Sequence, residues 1–324
     1  MAWRFRLAPE KTNVDFFKHQ WLTFGGSMSL TVFAILAWAI MGLNFGIDFR
    51  GGTTIRTEAT QPVDVGAYRH ALDGMDLGDV SVTEVFDPSF RADQHVAQVR
   101  IAPLDGQQAV TPDTIALVEA QLRALDPSMT FPSVESVGPK VSGELITKAI
   151  LAMVAASLAI MVYIWLRFEW QYALGGVIAL VHDVFITIGV FAVFQIKFDL
   201  TIIAALLTIL GYSINDTVVV FDRLRENLLK YKTMPLRDVM NLSVNETLSR
   251  TLMTSVTTLI ALASMLVFGG DVIRGFSFAI FFGVVLGTYS SIFVAKNIVL
   301  MIGLDRSDKP KAPNPKNEFA NIDA

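Results

Sequence analysis

The chain has 324 residues, 52% of them hydrophobic and 17% charged, with a formal net charge of −4. That balance is too apolar for an ordinary soluble domain, and with no basic stripe interleaved with aromatics it argues against a nucleic-acid surface. The absence of cysteine excludes disulfides, thiolate metal sites and cysteine nucleophiles.

Six hydrophobic runs come close to the roughly 20 residues that a membrane-spanning helix needs: 22–43, 149–166, 172–194, 200–221, 251–268 and 276–302. The first follows Arg4, Arg6, Lys11 and Lys18 in an N-terminal segment, 1–21. It is too long for a signal peptide, and Gly42-Leu43-Asn44-Phe45 is a poor cleavage site, so a retained anchor is expected.

Residues 44–143 form a soluble segment with 14 acidic and 7 basic side chains. The pattern predicts strand (GGTTIRTEA), helix (VDVGAYRHALDGM), strand (DVSVTEVF), strand (HVAQVRIAPL), helix (TPDTIALVEAQLRAL) and strand (FPSVESVGPKV). Val80, Val82 and Val85 alternate, as do Val96, Val99 and Ile101, while Ile115, Val118, Leu122 and Leu125 recur at helical spacing and Thr111 before Pro112 fits an N-cap. The order βαββαβ is the ferredoxin-like one. At its entrance, Asp48, Gly51 and Gly52 in DFRGGT read as a tight turn into the first strand.

Spans two to six occupy 144–302, with a polar, helix-prone loop at 222–250 in which Asp222, Arg225 and Glu226 continue the fourth span as a charged helix that Pro235 breaks, and a proline-rich tail, 303–324, expected to be disordered. With the N-terminus inside, the inner segments 1–21, 167–171, 222–250 and 303–324 hold 4, 1, 6 and 4 Lys and Arg, whereas the short outer loops hold only Lys197 and Arg274. Both termini are therefore expected in the cytosol and the 44–143 domain in the periplasm. The fold class expected is a polytopic α-helical membrane protein with six transmembrane helices and an α+β ferredoxin-like domain between the first and second.

Ionisable residues inside spans mark function by default. Asp216, in GYSINDTVVVFDRLREN, is the first candidate, with Tyr212 and Ser213 on its own side within one turn and Asn215 on an adjacent face free to bond another helix. The alternative is that headgroup water wets it. Arg250, at the expected start of the fifth span, is its candidate partner; protonating Asp216 would release their attraction. A headgroup-seeking arginine is the competing reading. His182 and Asp183, centred in the third span, suit either a proton relay or a polar lock between helices. Gly175, Gly176, Gly211, Gly283 and Gly287 offer close helix approach. No P-loop, HExxH or GxSxG is present, so neither an enzyme activity nor a cofactor or metal site is expected.

Taken in order, GIDFRGGT, VGPKV, YIWLRFEW, HD, GYSINDTVVVFDRLREN, NETLSRTLMTSVTTL, FGG and GTYSSIFVA resemble the SecF side of the bacterial SecD/SecF family of protein-export membrane proteins. The resemblance spans about residues 11–304. It implies a chain of the bacterial inner membrane, similar to half of a resistance-nodulation-division transporter, that pairs with SecD and associates with SecYEG and YajC. It further implies use of the proton-motive force to help preproteins complete translocation, with proton movement at the positions of Asp216 and Arg250. A proton-coupled small-molecule exporter would need a larger outer domain. An intramembrane aspartyl protease would need Tyr-Asp and Gly-x-Gly-Asp where this chain has His-Asp and Asn-Asp. A non-pumping structural subunit of the export channel remains a rival.

Overall fold

The computed structural model describes residues 12–75, 77, 79–85, 90–102 and 110–304, and the expected disorder of the tail falls from residue 305 outside them. Six helices are long and apolar enough to cross a membrane. They are α1 (Gln20–Met41), α5 (Pro139–Arg167), α6 (Trp170–Val193), α7 (Leu200–Lys230), α8 (Leu236–Phe268) and α9 (Gly270–Ser290), the last continued by a π-helical segment, Ser291–Ala295, and by α10 (Lys296–Ile302). This is a multi-pass membrane protein.

Between α1 and α5 the chain forms β1 (Asn44–Phe45), α2 (Ile47–Arg50), β2 (Gly52–Ala59), α3 (Val65–Leu72), β3 (Val80–Val85), β4 (His95–Ile101), α4 (Pro112–Leu125) and β5 (Thr130–Val137). The sheet order is β3-β4-β2-β5 with every pairing antiparallel. Each β-α-β unit therefore skips over a strand, which is the split βαβ arrangement. One face, with Ile55, Val82, Val99 and Ile101, packs on Tyr68 and Leu72 of α3 and Val118 and Leu122 of α4. Asp64 and Thr111 cap those helices, accepting from Ala67 N and Thr114 N.

The other face, with Thr54, Arg56, Gln98 and Glu135, lines a cavity of about 710 Å³ together with Lys197, Asp199, Arg274 and Gly275. The sheet thus stands over the α6–α7 and α8–α9 connections. Two devices join it to the helices. β1 pairs in parallel with β6 (Lys197–Phe198), and Asp48 Oδ2 accepts a hydrogen bond from Leu200 N at 3.0 Å.

Two expectations are corrected. FPSVESVGPKV is not one strand: β5 ends at Val137, and Pro139 opens α5, where its missing N–H costs nothing. The second span is thereby lengthened into the outer segment. The helix of the fifth span starts at Leu236 rather than near 251, with Pro235 in its N-cap position. Residues 222–250 hold the charged end of α7, which continues the fourth span as a helix to Lys230 as expected, then the connection 231–235 and the first part of α8.

The 44–143 domain offers a pH test. Asp126, which follows α4, accepts from Ser128 N at 2.8 Å and Ser128 Oγ at 2.6 Å, and these bonds hold its carboxyl below the usual carboxylate range. A folded value below the unfolded one means that the stabilisation is complete above about pH 4 and is lost as the pH falls through the folded value. Asp126→Ala is expected to cost about 1–2 kcal/mol near neutral pH and to flatten that acid dependence, read as hydrogen-exchange protection of β2 and β5 in the full chain.

Candidate functional site

The middle of α7 lies among α6, α8 and α9. Its first turn is held by Asp199, whose Oδ1 accepts from Thr201 N and Ile202 N at 3.1 and 3.3 Å, and by Asp48 on Leu200 N. Three of the four backbone donors that a helix start leaves unpaired are thus satisfied by carboxylates. Further along, α7 lies hard against α9. A Cβ at Gly283 would meet Ile209 at 2.3 Å, and one at Gly287 would meet Ser213 Cβ at 2.9 Å. That closeness is why GxxxG stands in α9. Gly287→Val is expected to push the helices apart, cost about 1–3 kcal/mol and disturb Ser213, read as a lowered unfolding midpoint in detergent.

Gly175 and Gly176 also sit in tight contacts, against Val299 and against Ile164 and Ile214. Gly211 does not: it is exposed, with nothing within 4 Å of its added Cβ. Its expected packing role is withdrawn, because no side chain or backbone of another helix comes within 4 Å of that Cβ among the described residues. A further close helix approach, which the sequence did not signal, is Gly189 of α6 against Ala34 of α1. At the domain entrance Gly51 and Gly52 have φ of 71° and 111°, so the turn after Asp48 uses backbone that L side chains rarely adopt.

Asp216 is 3% exposed, and its Oδ2 is buried with no hydrogen-bond partner among the described residues. The hydroxyls expected beside it point elsewhere. Ser213 Oγ donates to Asp183 Oδ2 at 2.7 Å, and Tyr212 Oη donates to Thr258 Oγ1 at 3.3 Å. The groups that act on Asp216 come from α8 instead: the Arg250 guanidinium and the Ser255 hydroxyl. Arg250 makes no direct ion pair with it among the described residues. Arg250 is exposed and lies mid-way along α8, not at a helix start, because α8 begins three to four turns earlier. It lines a groove of about 560 Å³ with Asn215, Asp222, Glu226 and Glu246, so Asn215 faces this groove and not a neighbouring helix. Beside Arg250, Thr251 is buried and its Oγ1 is likewise unpartnered.

Asp183 is the opposite case. It is fully buried, and its carboxylate joins α6, α7 and α9, with α1 reached through His182. Oδ1 contacts His182 Nδ1 at 2.8 Å, while Oδ2 accepts from Ser213 of α7 and Ser290 of α9, each at 2.7 Å. His182 Nε2 contacts Ser27 Oγ on α1. With the Nδ1 proton toward Asp183, Nε2 accepts from Ser27, so every polar atom of the pair is used. Of the two roles open to His182 and Asp183, this geometry favours the polar lock.

Ser27, Ser290 and Lys296 were missed. A lone hydroxyl in an apolar run carries no signal, but Lys296, an ammonium inside the last span, was a signal that went unread.

The description "Protein export membrane protein SecD/SecF, C-terminal" matches residues 117–305, and "SecD/SecF GG Motif" matches 36–63. A protein translocase subunit SecF of Cereibacter sphaeroides is 71% identical over 100% of both chains, and one of Rhodobacter capsulatus is 63% identical over 98% of this chain and 97% of its own. The crystal structure of SecDF, a translocon-associated membrane protein from Thermus thermophilus, superposes with a TM-score of 0.81 at 33% identity. It covers 91% of this chain, and this chain spans 39% of that one. A structure of SecDF in its super-membrane-facing form gives a TM-score of 0.66 at 34% identity, again over 39% of its chain. With both ends of the sequence matched and the six-helix fold shared, the chain belongs to the SecD/SecF family of protein-export membrane proteins.

Proposed function

We propose that this chain is the translocase subunit that pairs with SecD in the bacterial inner membrane and uses the proton-motive force to help preproteins finish crossing through SecYEG, with YajC as a further associate. Both termini then face the cytosol, and the 44–143 domain, with Asp48, Gly51 and Gly52 at its entrance, faces the periplasm. The observation that carries the reading is a buried, incompletely bonded carboxylate in the middle of a span, Asp216, with an arginine on the next helix that attracts it without closing on it.

Asp183 has both carboxylate oxygens committed to neighbouring side chains, whereas Asp216 keeps a buried oxygen with no partner among the described residues, and that is what makes it the candidate for charge cycling. In the proposed cycle a proton reaches Asp216, its attraction to Arg250 lapses, and α7 and α8 shift against each other. A charge crossing about 150 mV releases roughly 3.5 kcal/mol, enough to move a two-state equilibrium by two orders of magnitude. The sheet domain sits over the far ends of the same helices, joined by β1–β6 pairing and Asp48, so a helix shift has a mechanical route to it.

The test is late-stage export of a trapped preprotein in inverted vesicles, with and without a collapsed proton gradient. A stimulation by this chain that disappears with the gradient supports the reading. A stimulation that survives leaves a structural subunit.

A further inference from the structure

The segment before α1 is bonded more heavily than a connecting stretch requires. Thr12 Oγ1 donates to Asn245 Oδ1 at 2.8 Å, and Val14 N donates to the same oxygen at 2.8 Å. Val14 O accepts from Asn245 Nδ2 at 2.8 Å and Asn241 Nδ2 at 3.0 Å, and Phe16 N donates to Asn241 Oδ1 at 2.9 Å. Two asparagines four residues apart on one face of α8 thus read the backbone of 14–16 as a neighbouring strand would. Asparagine is a poor helix former, so these two positions give up helix propensity for the contact.

Phe17, 1% exposed, is the plug. Lys296 Nζ stands 3.4 Å from its ring centroid and donates to Phe16 O at 3.2 Å, with the rings of Phe293 and Phe16 at 5.9 and 6.0 Å. Arg237 of α8 covers the same ring at 5.3 Å and donates to Phe17 O at 3.1 Å. Lys296 is itself 1% exposed and has no ion pair among the described residues. The segment supplies the carbonyl and two of the rings around an ammonium inside a span, a place where membrane helices rarely carry a charge. The π-helical turn immediately before it adds a residue and rotates α10 by about 100° relative to an unbroken helix, which is what aims Lys296.

On its other side α8 is tied to α7: Glu246 Oε2 accepts from Arg223 Nε at 2.6 Å and Asn227 Nδ2 at 2.7 Å. The inner half of α8 is therefore clamped between α7 and residues 12–17, and the next turn beyond the clamp carries Arg250. We propose that residues 12–17 are a strap whose anchoring to Asn241, Asn245 and Lys296 sets the position of α8, making these three positioning residues for Arg250 against Asp216. The functional half of this inference rests on the proton-coupled reading above; the structural half does not.

Spin labels on Leu229→Cys of α7 and Thr257→Cys of α8, both exposed positions in a full chain with no native cysteine, report the separation of the two helices. Asn241→Ala with Asn245→Ala, and separately Lys296→Met, are expected to broaden the distance distribution and lower proton-coupled export about tenfold, the scale on which slight misplacement of an acting group is felt. Should the double variant fail to accumulate, Lys296→Met, which keeps the volume filled, carries the test alone. Distributions as narrow as that of the unsubstituted chain overturn the strap, and broadened distributions with unchanged export overturn its positioning role. Asp216→Asn is measured alongside: if it exports normally the proton-coupled reading falls, while the label distances still decide the strap.

Discussion

Asp216→Asn is expected to remove the gradient-dependent part of export while leaving the chain folded and associated with its partner. Asparagine is close in shape to a protonated aspartate, and Asp216 makes no hydrogen bond through Oδ2 that the amide must reproduce. The loss is therefore one of charge cycling and not of packing. Its ceiling follows from the drive: about 3.5 kcal/mol corresponds to roughly 300-fold in a coupled equilibrium, so a reduction of at least tenfold in gradient-stimulated export is expected. Arg250→Ala should fall in the same direction. The pair should be non-additive, because each change deletes the same attraction. Export at the normal rate with Asp216→Asn would remove the motor and leave a scaffold.

Asp183→Ala is expected to have the largest effect on stability. It strips the acceptor from Ser213, Ser290 and His182 at once, at a fully buried position. Breaking a buried network of this kind costs about 3–5 kcal/mol, enough to deplete the chain from the membrane and to lower its unfolding midpoint in detergent. Asp183→Asn separates the two roles the sequence left open. A lock retains one acceptor oxygen, loses part of the stability, and loses export only in proportion. A relay would keep the protein folded and abolish gradient-driven export outright. The saturated bonding of Asp183 leads us to expect the first pattern.

These two aspartates look alike in sequence, each an acid in an apolar run beside a polar neighbour. What separates them is which helix presents hydroxyls to which carboxylate. Ser213 precedes Asp216 by one turn and was read as its companion, but it lies at the Gly287 contact, where α9 comes close enough for Ser213 and Ser290 to converge on Asp183. Spacing along one helix gives a residue's face and not its cross-helix partner. For the same reason Tyr212 is bonded to Thr258 and Asn215 faces a groove.

Hydrophobic run length and local pattern by themselves determined the six membrane helices, the strand and helix order of the outer domain, the N-cap at Thr111 and the presence of an acid that lipid would not tolerate at 216. Each of these depends on a free energy that is local in the chain: transfer of about 20 residues into hydrocarbon, period-2 or 3.6 burial, or capping of nearby amides. Only the tertiary structure decided that Asp183 is spent on holding helices while Asp216 is left short of partners, that Arg250 stands off mid-helix in α8, and that Lys296 and the 12–17 segment complete each other. Those outcomes turn on which hydroxyl, ring or carbonyl arrives from elsewhere in the chain, and inside a membrane each polar group must find such a partner because water is not there to supply one.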